Sequence, residues 1–332
     1  MLTAPSILII RLKSIGDVVL TLPAAALVRE NFPAQRILFL TATENAPLLR
    51  GFAMVDEVLL LDRQAFRQGR WLAGVRNILQ LVGRCRRAGL SHVLDFQGYG
   101  ETAILSWVTG APERWGLINR ASRRWAFTKP IARNYGIHLA DSNLALGLAA
   151  GLRATPVRNE FRLPGTELEA ARGFFQREGV DPGRPTLFIQ PFTSSPPKNW
   201  PLERYLALAR EWRSRGRQVI FGGGPAEAAL LAGARQEGFV VSAGTSLLVT
   251  AGLIQLCRVT VGGVTGLLHL AVAMGRRVVM VSGYAAQEMG YPYQHRDWMI
   301  GPLAEPIDTI ELATVVAACE AALVETGGAG RG

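Results

Sequence analysis

Cysteine and histidine are both scarce in this 332-residue chain, and their scarcity removes classes of function. The three cysteines, Cys85, Cys257 and Cys319, lie far apart with no CxxC. That excludes a disulfide framework or a zinc ribbon and fits a reducing, cytoplasmic compartment. No His/Cys cluster stands at ligand spacing and no Asp-x-Asp pair occurs, so neither a metal nor another resident cofactor is expected. Walker A and GxGxxG loops are absent. So are zinc fingers and aromatic RNP boxes, so nucleic acid is not an expected partner. No apolar run approaches the roughly 20 residues of a membrane-spanning helix. The opening MLTAPSILIIRL lacks a basic start and a small-residue cleavage site, and reads as a first strand, not a signal peptide.

What is present is a core. Hydrophobic residues make up 49% of the chain and charged residues only 19%, enough apolar matter for about two domains of roughly 150 residues each. The net charge of +10 is unevenly placed. Residues 1–165 hold 21 Lys and Arg against 11 Asp and Glu, whereas residues 166–332 hold 15 of each. A basic half joined to a neutral half suits one domain to an anionic partner, unless the excess is simply a solvated arginine-rich surface.

Short β-branched runs alternate with helical stretches, the pattern of βαβ units on parallel sheets. Strands are expected at Ile7–Leu12, Arg36–Leu40, Glu57–Leu61 and His92–Asp95, with helices over Asp17–Asn31 and Trp71–Ala88. Residues 110–143 read as loops and edge structure. A second cycle starts near Glu167, with strands at Thr186–Gln190, Gln218–Phe221, up to Val261 and Arg277–Ser282. The expected fold is therefore α/β, two doubly wound Rossmann-like domains facing a cleft. The first spans 1–155 and the second 166–332, with a linker over 153–165. A last helix near Asp308–Glu325 is a candidate to pack back on the first domain.

Strand-to-helix turns of small residues are ready anion sites, because helix N-termini offer unpaired N–H groups. Lys13-Ser14-Ile15-Gly16-Asp17 follows the first strand. There Asp17 serves either as a helix-capping acid or, at the mouth of a cleft, as a general base. Gly262-Gly263-Val264-Thr265-Gly266 follows a later strand, where Thr265 can cap and the N–H groups near Gly266 can hold a phosphate. Pro191–Pro201 is a Pro- and Ser-rich loop holding Lys198, either an ordinary exposed lysine or a point charge for a diphosphate. Gly222–Glu227 is a glycine turn that lets a ligand approach the backbone.

Taken in order, ILIIRLKSIGDVVLTLPA, the TxxxxKxWP element at Thr193–Pro201, the GGPAE turn and VGGVTGLLHLAVAMGRRVV resemble glycosyltransferase family 9. This is the family of ADP-heptose:lipopolysaccharide heptosyltransferases. The resemblance covers most of the chain and implies a GT-B fold, with the acceptor in the N-terminal domain and the nucleotide-sugar in the C-terminal one. It implies inverting, metal-independent transfer with a nucleotide-sugar, ADP-linked, as co-substrate. Asp17 then matches the catalytic base. Lys198, Thr193, Thr265 and Gly266 match the donor diphosphate site, and Glu227, Thr245 and Ser246 the nucleoside site. Lys13, Ser14, Gly16, Arg63 and Arg120 are candidates for the acceptor side. The implied partner is an anionic glycolipid, met at the inner face of the cytoplasmic membrane.

Two positions depart from the family pattern. Val264 stands where the family usually has Asp beside the donor sugar, and Leu20 where it often has His. The readings left open are a transferase for a different nucleotide-sugar and a non-catalytic nucleotide-sugar or glycolipid binding protein.

Overall fold

Residues Ser6–Ile10 form β1 and are buried at every position, as in a parallel sheet covered on both faces. In this computed structural model, residues 5–283, 289–302 and 305–328 are described; the first four residues of the opening stretch lie outside them. The chain divides into two compact units, Met1–Arg162 and Leu163–Gly332, and the division falls within the 153–165 stretch.

The first unit runs β1, α1 (Ile15–Val19), α2 (Leu22–Asn31), β2 (Arg36–Ala42), β3 (Glu57–Leu61), α3 (Arg63–Arg67), α4 (Trp71–Arg87), β4 (Leu90–Asp95), α5 (Gly100–Val108), β5 (Glu113–Ile118), β6 (Lys129–Ala132) and α6 (Leu139–Ala149). Its strands are all parallel and ordered β3-β2-β1-β4-β5-β6. Two expectations change. The single helix over Asp17–Asn31 is two helices, because Pro23 in a continuous helix would clash with the carbonyl of Val19; the chain restarts instead with Pro23 in the first turn of α2. Residues 110–143 also hold two genuine strands. Pro130 donates no ladder bond, but β6 lies at the sheet edge, where that loss is tolerated.

The second unit repeats the plan with α7 (Gly165–Arg177), β7 (Thr186–Gln190), α8 (Leu202–Ser214), β8 (Gln218–Gly223), α9 (Ala232–Gln236), β9 (Val240–Ala243), α10 (Leu247–Leu256), β10 (Val259–Gly263), α11 (Gly266–Ala273), β11 (Val278–Val281), β12 (Met299–Ile300) and α12 (Leu312–Gly328). The order is β12-β11-β10-β7-β8-β9, again parallel. One face of this sheet is covered by a cluster including Trp200, Tyr205 and Trp212, the other by one including Phe174, Leu253 and Leu268. The last helix, a candidate for reaching back to the first domain, spends its apolar face here: Val315, Cys319 and Ala322 complete the first cluster. Glu325 pairs with Arg277 at 2.6 Å, fixing its far end.

Candidate active site

Both sheets reverse strand order once, between β1 and β4 and between β7 and β10. At such a switch point the connections leave in opposite directions, opening a crevice at the strand carboxyl ends where ligands bind.

In the first unit the crevice is built on Arg11, Asp17, Asp95 and Gln97. Ile10 and Asp95 are in register across β1 and β4, so the two strands end side by side. Gln97 Oε1 accepts from the backbone N–H of Leu12 at 3.1 Å and of Lys13 at 3.2 Å, tying the two loops together. Asp17, in α1, accepts from Ser14 N–H at 3.0 Å in a capping box and pairs with Arg11 Nη2 at 2.9 Å. Both contacts use Oδ2. Arg11 is buried, and its Nη1 also donates to the Phe96 carbonyl. Arg133 Nη2 donates to that same carbonyl at 2.5 Å.

Asp95 is fully buried. Its Oδ1 accepts from Gln97 and Gly98 N–H at 2.8 and 3.0 Å, and burial still lifts its carboxyl to about 6, since desolvation outweighs those bonds and Arg11. Burial, reinforced by Arg11, lowers the Arg133 guanidinium. Gly98 has φ +69°, and a Cβ there would lie 1.9 Å from the Leu117 carbonyl, so glycine is required at this turn. Lys13 lies over the Tyr99 ring at 5.2 Å, while Ser14 and Gly16 shape the start of α1.

Arg63 and Arg120 follow β3 and β5, which lie two places from β1 on opposite sides of it. Arg63 is engaged by Glu101 at 3.1 Å, whereas Arg120 is exposed.

In the second unit the crevice joins two segments distant in sequence. Thr193 N–H donates to Asn199 Oδ1 at 2.8 Å, and Ser195 N–H donates to Thr193 Oγ1 at 3.2 Å, folding the Pro-rich loop on itself. A Cβ on Gly263 would stand 2.5 Å from Thr193 Cγ2 and 3.4 Å from the Lys198 carbonyl. The missing side chain is what lets this loop close over the end of β10. Thr265 caps α11 by accepting from Leu268 N–H at 3.3 Å, and Gly266 opens the helix. Lys198 is exposed, with no ion-pair partner among the described residues. Thr193, Lys198, Thr265 and Gly266 thus share one locality.

The other three nucleoside candidates follow adjacent strands. Gly223 and Ala243 are in register across β8 and β9, which sets the Glu227 turn beside Thr245 and Ser246. Each already has a local partner. Glu227 accepts from Gly224 N–H at 2.7 Å, Thr245 donates to the Ser242 carbonyl at 3.1 Å, and Ser246 caps α10. Val264 packs at the edge of the apolar cluster under α11, and Leu20 is buried.

Arg11, Asp95, Gln97 and Arg133 escape the sequence reading. The one local sign was an arginine ending an apolar strand. Among the described residues, no group of three or more His, Cys, Asp or Glu is placed to hold a metal ion, and no helix is long and apolar enough to cross a membrane.

Comparison with known proteins agrees with this architecture. The family model for glycosyltransferase family 9 (heptosyltransferase) matches residues 78–309; it takes in the second-unit turns, while Asp17 precedes it. A family 9 glycosyltransferase structure from Veillonella parvula superposes with TM-score 0.88 at 19% identity, over 98% of this chain and 99% of that one. E. coli ADP-heptose LPS heptosyltransferase II gives 0.79 at 19% identity, over 97% and 99%. The E. coli heptosyltransferase WaaC, solved with ADP, gives 0.78 at 19% identity, over 96% and 99%. No curated protein sequence matches the chain significantly. At these identities the likeness establishes a shared fold, two Rossmann-like units of the GT-B type.

Proposed function

The chain belongs to glycosyltransferase family 9 and is a glycosyltransferase, and on that footing we propose that it moves a heptose from ADP-heptose onto an anionic lipopolysaccharide-core acceptor, inverting the anomeric centre without a metal. The observation that carries this reading is the coincidence of both motif turns with the two switch points. Asp17 stands at one; Thr193, Lys198 and the Thr265-Gly266 turn stand at the other.

In this mechanism Asp17 takes the proton from an acceptor hydroxyl through the oxygen that its held Oδ2 leaves available. The acceptor oxygen forms a bond to the anomeric carbon as the bond to the diphosphate oxygen breaks on the opposite face. The charge gathering on the departing nucleoside diphosphate meets Lys198 and the free N–H groups at the start of α11. Arg11 acts as a positioning residue that fixes the Asp17 carboxylate. Glu227, Thr245 and Ser246 border the nucleoside. The basic first half, with Lys13, Arg63 and Arg120 as its acceptor-side candidates, suits an acidic glycolipid and peripheral contact with an anionic cytoplasmic membrane face.

Val264 favours a second reading of the donor. An apolar side chain here supplies no hydrogen bond to a sugar hydroxyl, so a nucleotide-sugar other than ADP-heptose is the alternative substrate.

The deciding measurement is thermal shift of the wild type and Lys198→Ala with ADP, UDP and GDP in chelator. ADP stabilises the wild type and loses most of its effect in the variant if the reading holds. A preference for UDP or GDP selects the second reading. No stabilisation by any nucleotide removes the donor site altogether.

A further inference from the structure

Helix α4 carries two apolar stripes where a surface helix needs one. Ile78, Leu81 and Cys85 turn to the sheet and belong to the first unit's core. A second stripe, Leu72, Val75 and Leu79, repeats at helical spacing one residue out of step, and Val82 at its end is half-buried against that same core. Leu72 is 90% exposed, Leu79 67% and neighbouring Trp71 64%. This stripe runs into a groove between α3, α4 and α5 of about 670 Å³, whose apolar wall includes Phe66, Leu79, Val82, Ile104 and Val108. On α5 and the turn after β5, Trp107 and Trp125 meet edge to face at 5.8 Å, both half exposed. Soluble proteins seldom leave a continuous apolar surface of this kind open to water.

The charge around it is predominantly positive. The 17 residues of α4 include Arg76, Arg84, Arg86 and Arg87 and no acid. Arg63, Arg67 and Arg86 line the groove, and Glu101, the acid in that lining, is neutralised by Arg63. Arg84 pairs with Glu57, but Arg67, Arg76 and Arg86 have no ion-pair partner among the described residues, and an apolar slot and exposed tryptophans beside them complement an amphiphile with acyl chains and an anionic head.

We propose that the α4–α5 face docks on an anionic lipid bilayer, with Trp71, Leu72 and Leu79 entering the interface. An acyl chain occupies the groove while Arg67, Arg76 and Arg86 meet lipid phosphates. This assigns a face to the peripheral membrane contact proposed above and rests on that reading, but it needs neither donor nor transfer.

The test is co-sedimentation of the full chain with phosphatidylglycerol/phosphatidylethanolamine vesicles and with pure phosphatidylcholine vesicles. The variants are Leu72→Glu/Leu79→Glu, Ile104→Glu, and Arg67→Gln/Arg76→Gln, all changes at exposed positions. Wild type is expected to bind the anionic vesicles and not phosphatidylcholine. The double-glutamate variant and Ile104→Glu lose at least tenfold, and each arginine removed costs about fivefold at low salt. Phosphatidylglycerol with brominated acyl chains quenches wild-type tryptophan fluorescence, less so in Trp71→Phe. Nucleotide thermal shifts are measured on the same variants, so a failed donor site is told apart from a failed docking face. Equal binding by wild type and the double-glutamate variant overturns the proposal. So does a wild-type dimer in sedimentation velocity that the same variant dissociates, since the face would then belong to a second copy of this chain.

Discussion

Asp17 is held by two donors on one oxygen, a restraint that fixes the carboxylate more than a capping role requires. Asp17→Asn keeps the acceptor for Ser14 N–H but removes the proposed base, so transfer should fall by about 10²- to 10⁴-fold while the nucleotide thermal shift is unchanged. Loss of the shift as well would make the change structural. Asp95 supports a prediction with a defined sign. Its folded-state carboxyl lies near 6 against an unfolded value of 3.8, so the folded protein binds this proton more tightly. Its penalty on folding is complete above about pH 6 and is relieved as pH falls toward 4, an effect of about 3 kcal/mol. Urea denaturation of wild type and Asp95→Asn at pH 5 and pH 8 should show the variant gaining on wild type by about 1.4 kcal/mol at the higher pH. Parallel profiles would show that Asp95 does not carry the titration. Arg11 to Lys should also impair transfer, because one ammonium cannot reproduce the fork that reaches both Asp17 and the Phe96 carbonyl.

At the scale of elements, the close approach of the Thr193 loop to the end of β10 is set by an absent side chain. Gly263→Ala should push Thr193 away and weaken nucleotide binding about tenfold, and adding Thr193→Ser, which deletes Cγ2 and keeps the hydroxyl, should restore most of it. Titration calorimetry on the four proteins of the cycle tests this; simple additivity would mean the contact does not control the loop. The turns themselves were legible in the sequence, since glycine, serine and threonine at strand ends announce close backbone approach and capping. The β-branched runs likewise announced most of the strands. β5 and β6 were not legible, because ERWGLI mixes charge with apolar residues and KPIA contains a proline that only an edge position tolerates. The Arg11–Asp95 cluster was hidden for a different reason. Its members lie some 84 residues apart and meet because β4 inserts beside β1, a pairing that no local pattern encodes.

For the whole molecule, the two units carry separate cores, and the three cysteines report on them individually. Cys85 lies in the first unit's core, Cys257 and Cys319 in the second's. Burial raises all three thiols, Cys85 to about 11 and Cys319 to about 12. The native protein should therefore react with no equivalents of a thiol reagent at pH 8 and with three in guanidinium, the single N-terminal equivalent separable from the other two by peptide mapping. Fast native labelling of any cysteine would contradict the burial. The charge asymmetry also belongs at this scale, since its placement in the first unit leaves the second unit electrically neutral overall. Finally, α12 bears on how the chain is made. The first unit needs nothing beyond residue 162 to close its sheet, whereas the second has an open apolar face until Val315, Cys319 and Ala322 arrive. A nascent chain therefore carries a finished first unit beside an unfinished second one through most of its synthesis, and it is that exposed face of the second sheet that a ribosome-associated chaperone would have to shield.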